Sequence, residues 1–87
     1  RDLAILAPAT VSFGQLAALC REAAGPLLLS LEPFDVYQGG RLAAGIRSLA
    51  LRFRFRAQDR ALTDAEVDGL MQNVIRNVKG AGYDVRA

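Results

Sequence analysis

Nine consecutive residues constrain this chain more than any others. From Ser48 to Arg56, the large apolar side chains Leu49, Leu51, Phe53 and Phe55 alternate without a break with Ser48, Ala50, Arg52, Arg54 and Arg56. A period of two over nine residues is a β-strand with one face toward a core and the other toward solvent or a ligand. The rest of the chain must therefore cover one side of a sheet. With 87 residues in all, one thin core is the most it can build, and residues 1–87 read as a single domain.

Two segments supply the cover. Ser12 followed three residues later by Gln15 is a capping box, with Val11 and Leu16 placed as its hydrophobic staple. Phe13, Leu16, Ala17, Cys20 and Ala24 then recur on one helical face, and Gly25-Pro26 ends the run. Thr63 with Glu66 is a second capping box, flanked by Leu62 and Val67. It opens a helix whose stripe is Val67, Leu70, Met71, Val74 and Val78, ending at Gly80 and Gly82.

Three further stretches read as strands. Asp2–Leu6 is a short apolar run before Pro8, and Tyr83–Arg86 is a short final strand. Leu27–Gln38 is a longer strand interrupted by Pro33. Proline cannot donate to a ladder, so that strand belongs at a sheet edge or carries a bulge. Beyond Pro33, Asp35 and Tyr37 are expected on one face, with Phe34 and Val36 on the other. Residues 39–45 form the loop into the alternating strand. The order β-α-β-β-α-β predicts an α+β, ferredoxin-like fold, a four-stranded antiparallel sheet with two helices on one face.

Composition excludes several function classes. There is no histidine, and Cys20 is the only cysteine, so neither a disulfide framework nor a multi-cysteine metal site is available. With one lysine, Lys79, and no histidine, no nucleophile–base pair can be assembled within the chain. Cys20 lies on the apolar helical stripe and reads as a core residue. Gly40 to Gly45 has the outline of a phosphate loop, but Ile46 stands where the lysine belongs and no helix follows. Phe53 and Phe55 share parity with Leu49 and Leu51, which sets them in the core rather than on an RNA-recognition surface. No apolar stretch approaches membrane-spanning length, and no signal-peptide pattern is present. The chain reads as a soluble intracellular module of something longer.

Two groups of residues point to a ligand. Residues 41–60 carry six arginines against one acid, Asp59, although the whole chain is only +2. Arg52, Arg54 and Arg56 project from one side of a strand, where arginines suit phosphate contact and base stacking. The alternative is a solvated face that keeps a thin domain soluble. The second group is Asp35, Tyr37 and Ser48. A carboxylate complements the N1–H and N2–H₂ donors of guanine, tyrosine offers a stacking surface, and serine an adaptable hydroxyl. The same residues also suit a salt-bridged carboxylate and an amphipathic edge tyrosine.

Four strings fall together in a familiar order and spacing: Arg1-Asp2-Leu3-Ala4, Phe34-Asp35-Val36-Tyr37-Gln38-Gly39, Arg47-Ser48-Leu49-Ala50 and Leu62-Thr63-Asp64-Ala65-Glu66-Val67. Over essentially its whole length the chain resembles the ferredoxin-fold anticodon-binding domain found at the C-terminus of the bacterial phenylalanyl-tRNA synthetase beta subunit. The resemblance implies a cytoplasmic tRNA-binding module of a ligase, remote from the aminoacylation centre in the alpha subunit. It implies phenylalanine tRNA, the rest of the beta subunit and the alpha subunit as partners. No cofactor is expected in this domain; ATP and Mg belong to the parent enzyme. By position, Asp35 corresponds to the acid that accepts from the first anticodon base, a guanine, Tyr37 to the aromatic that stacks on it, and Ser48 to a nearby hydroxyl contact. Arg47, expected with these to contact RNA, stands where many relatives have lysine, which keeps the charge and changes the hydrogen-bond geometry. Two other classes share the topology: a regulatory domain that pairs sheet edges and binds a small molecule at the seam, and a subunit-docking domain.

Overall fold

The computed structural model describes residues 1–86. In chain order the elements are β1 (Asp2–Pro8), α1 (Phe13–Ala24), β2 (Leu28–Gln38), β3 (Ile46–Phe55), α2 (Asp64–Gly80) and β4 (Asp84–Arg86), with a single 3₁₀ turn, Gly25–Leu27, between α1 and β2. The four strands form one antiparallel sheet in the order β2-β3-β1-β4. This is the predicted ferredoxin-like α+β arrangement, and β2 is an edge strand as the proline requires.

Both helices begin as their sequences dictate. Ser12 Oγ accepts from the Gln15 amide at 3.1 Å while the Gln15 side chain accepts from the Ser12 amide at 2.9 Å. Thr63 and Glu66 repeat the exchange at 3.1 and 3.2 Å. These reciprocal bonds satisfy donors that a helix N-terminus otherwise leaves unpaired. At the other end of α1, Gly25 takes a positive φ of 75°, which turns the chain into the 3₁₀ segment.

The core lies between the helices and one face of the sheet. Leu3, Ile5 and Ala7 of β1 meet Leu49, Leu51 and Phe53 of β3, and Leu31 of β2 joins them. Leu16, Ala17, Cys20 and Ala24 of α1 and Met71, Val74 and Val78 of α2 close over this layer. Phe13, Val67 and Phe55 are only half-buried. Phe55 differs from expectation because it is the last residue of its strand; its ring lies stacked on Phe53 with centroids 6.4 Å apart.

β2 departs from simple alternation in two places. Leu28 pairs with Phe55 and Ser30 with Arg54, which leaves Leu29 as an extra residue; Pro33 pairs with Leu51 and Asp35 with Ala50, which leaves Phe34 as another. Each is a β-bulge, two residues facing one. Both extra residues are exposed, Leu29 at 61% and Phe34 at 50%. The bulge corrects the expectation that Phe34 shares a face with Val36. The Phe34 ring instead packs against Arg52, whose guanidinium carbon lies 4.6 Å from the ring centroid.

Candidate nucleic-acid interface

Residues paired directly across an antiparallel ladder point to the same side of the sheet. The register therefore lays out the face opposite the helices row by row. One row runs Arg86–Ala4–Ala50–Asp35 from β4 to β2, and the next runs Asp84–Leu6–Ser48–Tyr37. A third holds Asp2–Arg52–Glu32, and beyond it Arg54 faces Ser30. The middle of the first two rows is small or aliphatic: Ala4, Ala50, Leu6 and Ser48. Low side chains there leave a trough flanked by Asp35 and Tyr37 on one side and by Arg86 and Asp84 on the other. Such a floor admits a flat ring.

Asp35 and Tyr37 share this face, and Ser48 is the cross-strand partner of Tyr37. Asp35 and Tyr37 are exposed, the phenol residue at 51%, and Ser48 is half-buried. The bulge at Phe34 is responsible. Straight alternation from Leu31, which is in the core, would turn Asp35 and Tyr37 toward the helices.

The arginines do not act as one row. Arg52 donates from Nε to Asp2 Oδ1 at 2.9 Å and from Nη2 to Asp2 Oδ2 at 3.2 Å, while its flat side covers Phe34. The hydrogen bonds from Arg52 hold the Asp2 carboxyl below its ordinary value, and Asp2 in turn raises the Arg52 value. Arg54 stays on the strand and exposed. Arg56 lies one residue past the end of β3, where its amide donates to Leu27 O at 2.9 Å. It lines an open groove of about 1030 Å³ with Leu27, Leu29, Gln58 and Arg60.

Arg47 is apart from all of these. It has the parity of Leu49 and so points to the helix side, where Nη2 donates to Val11 O at 2.6 Å and Nε is buried without a partner. Its observed contact ties the start of β3 to the turn before α1. The structure thus brings Asp35, Tyr37, Ser48, Arg52 and Arg54 to one face, sets Arg56 at its margin, and places Arg47 behind it. Arg86, Leu6 and Ala4, which line the same trough, escaped the reading of the sequence. β4 is three residues long and carries no periodic signal of its own, so only the register reveals its position.

Among the described residues, no three His, Cys, Asp or Glu side chains are grouped to hold a metal ion, and no helix is long and apolar enough to cross a membrane. The face is equipped to hold a planar ring and neighbouring phosphates, through one acid, one phenol, one hydroxyl and peripheral guanidinium groups.

Comparison with known proteins gives a consistent result. One family model, described as the ferredoxin-fold anticodon binding domain, matches residues 1–86. The phenylalanine–tRNA ligase beta subunit of Deinococcus radiodurans is 44% identical over 86 residues, 99% of this chain and 10% of that protein. The subunit of the same name from Synechococcus sp. (strain JA-2-3B'a(2-13)) is 49% identical over 76 residues, 87% of this chain and 9% of that protein. That of Haemophilus influenzae (strain Rd) is 37% identical over 79 residues, 91% of this chain and 10% of that protein. The chain thus spans about one-tenth of the length of these relatives.

Proposed function

Because this chain belongs to the ferredoxin-fold anticodon-binding domain family, we propose that its helix-free sheet face binds the anticodon of phenylalanine tRNA on behalf of a phenylalanine–tRNA ligase. The observation that carries the reading is the joint exposure of Asp35 and Tyr37 on that face, beside a floor of Ala4, Ala50, Leu6 and Ser48.

In this reading a guanine lies on the low floor with its ring against the Tyr37 phenol. The Asp35 carboxylate accepts from N1–H and N2–H₂, and the Ser48 hydroxyl donates or accepts beside it. Adenine presents no N1–H or N2–H₂, so it leaves the carboxylate unpaired and is rejected. Arg54 and Arg56, and Arg86 across the trough, meet the flanking phosphates. Arg52 holds Phe34 and Asp2 in place. Arg47 acts from behind the sheet, by fixing the entry to β3 rather than by touching RNA. The ligase chemistry, with ATP and magnesium, resides in the alpha subunit of the parent; this domain contributes selection and placement of the tRNA. The rival in which two copies pair along their sheet edges and bind a small molecule fits less well. Pro33 and two bulges interrupt the edge of β2 that such pairing needs.

The test is Asp35→Ala in the complete ligase, assayed with phenylalanine tRNA carrying guanine or adenine at the first anticodon position. A hydrogen bond to a charged group contributes about 1.5–3 kcal/mol, so the preference for guanine should fall about 10- to 100-fold. Equal losses for the two tRNAs would refute the assigned contact.

A further inference from the structure

Tyr37 is followed three residues later by Gly40, whose φ is +57°. A Cβ built on Gly40 would overlap the Tyr37 Oη outright and would lie 3.2 Å from Cζ and 3.7 Å from Cε1. The phenol of Tyr37 therefore rests against the bare α-carbon of Gly40. Gly39 and Gly45 also have positive φ, 83° and 79°, yet a Cβ on either meets nothing within 4 Å. Of the three loop glycines, only Gly40 combines the left-handed backbone with contact to the proposed stacking residue.

Hydrogen bonds restrain the loop around Gly40. At its far end Gly45 O accepts from the Ala9 amide at 2.8 Å, and the Ile46 amide donates to Ala43 O at 3.1 Å. At its near end the Leu42 amide donates to Gly39 O at 3.0 Å. Gly40 lies inside the turn that the Leu42–Gly39 bond closes, so a side chain there first meets the far end of the exposed Tyr37 side chain.

We propose that Gly40 is a positioning residue for anticodon recognition: its missing side chain is the seat that holds the Tyr37 ring at the angle needed to stack on a base. This inference rests on the anticodon reading above and adds to it a residue that touches no RNA.

The experiment uses the complete ligase and compares Gly40→Ala, Gly39→Ala, Tyr37→Ala, Tyr37→Phe and the double variant Tyr37→Phe/Gly40→Ala, by KM and kcat for tRNA and by thermal melting. Both alanine-for-glycine changes put a Cβ at positive φ and carry similar backbone strain, but only one overlaps the ring. Gly40→Ala should raise the KM for tRNA about tenfold, the scale of one lost base–aromatic stack, with kcat unchanged. Gly39→Ala should stay within about twofold, because strain alone does not move the ring. Removing the hydroxyl removes the overlap and leaves contacts of 3.2 Å to Cζ and 3.7 Å to Cε1, so the double variant should return to the KM of Tyr37→Phe. Equal effects of the two glycine changes, or no recovery in the double variant, would overturn the role of Gly40 while leaving the anticodon reading intact. An unchanged KM in Tyr37→Ala would overturn the anticodon reading and this inference with it. Should Gly40→Ala fail to fold, the double variant decides: recovery supports the seat, and a second failure to fold overturns it.

Discussion

Asp2 and Arg52 face one another across β1 and β3 and close a two-point ion pair, at 2.9 and 3.2 Å. A guanidinium engaged by a carboxylate on its edge and an aromatic ring on its face is largely committed within the protein. Two of its five N–H donors and one face are taken, which leaves it less to offer a phosphate than Arg54 has.

For the tRNA binding proposed above, the salt dependence should therefore separate the arginines. For single strands the slope of log K against log salt falls by about 0.7 per phosphate contact removed. Arg54→Ala with Arg56→Ala should flatten the slope by about 1.4, and Arg52→Ala should leave it nearly unchanged. A flattening by Arg52→Ala as large as that from Arg54→Ala would show the Asp2 pair opening to RNA.

The same pair sets an acid response. The Asp2 carboxyl sits below its ordinary value of 3.8 because Arg52 donates to it. A group depressed on folding stabilises the fold above its unfolded value, and that contribution is lost as pH falls through the lower, folded value. Carboxyl-carbon NMR should find Asp2 titrating below 3.8, and Arg52→Ala should bring it back up. No change in the Asp2 midpoint on substitution would mean that the pair is not formed in solution.

Cys20 is fully buried between the helices and the sheet, and desolvation pushes its thiol up to about 11. Ellman's reagent should leave it unmodified in the folded protein near pH 8 and label it only on unfolding. The unfolded thiol ionises first, so the contribution to stability is complete below about 8.5 and is lost as pH rises through about 11. Rapid labelling of the native protein would contradict this burial.

Phe53 and Phe55 stack on each other but are buried to different extents, 1% exposed for Phe53 against a half-buried Phe55. Phe53→Ala should cost about 3–5 kcal/mol in denaturant melts. For a small domain, whose whole stability is of order 5–15 kcal/mol, that is a large share. Phe55→Ala should cost clearly less, since part of its ring already meets water. Comparable losses would indicate that Phe55 is as deeply buried in solution as Phe53.

What could be read from the sequence was what depends on near neighbours. Ser12 with Gln15 and Thr63 with Glu66 lie within one helical turn, so both helix starts were legible, and Leu49 to Phe53 declared the core side of β3. Pro33 announced an irregular edge strand but not which residue would be left over, so Phe34 was assigned to the wrong face. The Asp2–Arg52 pair joins residues fifty positions apart and depends on register, which no local pattern encodes. Arg47 could have been sorted by parity with Leu49. It was not, because the visible alternation began at Ser48, two residues inside the strand.

The surplus residue at position 34 has a consequence for how sequences of this kind can change length. Removing Phe34 would let the strand run regularly from Pro33 to Asp35 and still deliver the acid and the phenol to the same side. Letting that kink anneal with all residues retained would instead rotate the outer half of the strand by half a turn, sending both groups to the helix side and presenting Val36 in their place. Shortening here is thus the milder error, and straightening the one that would erase the site without altering a single residue in it.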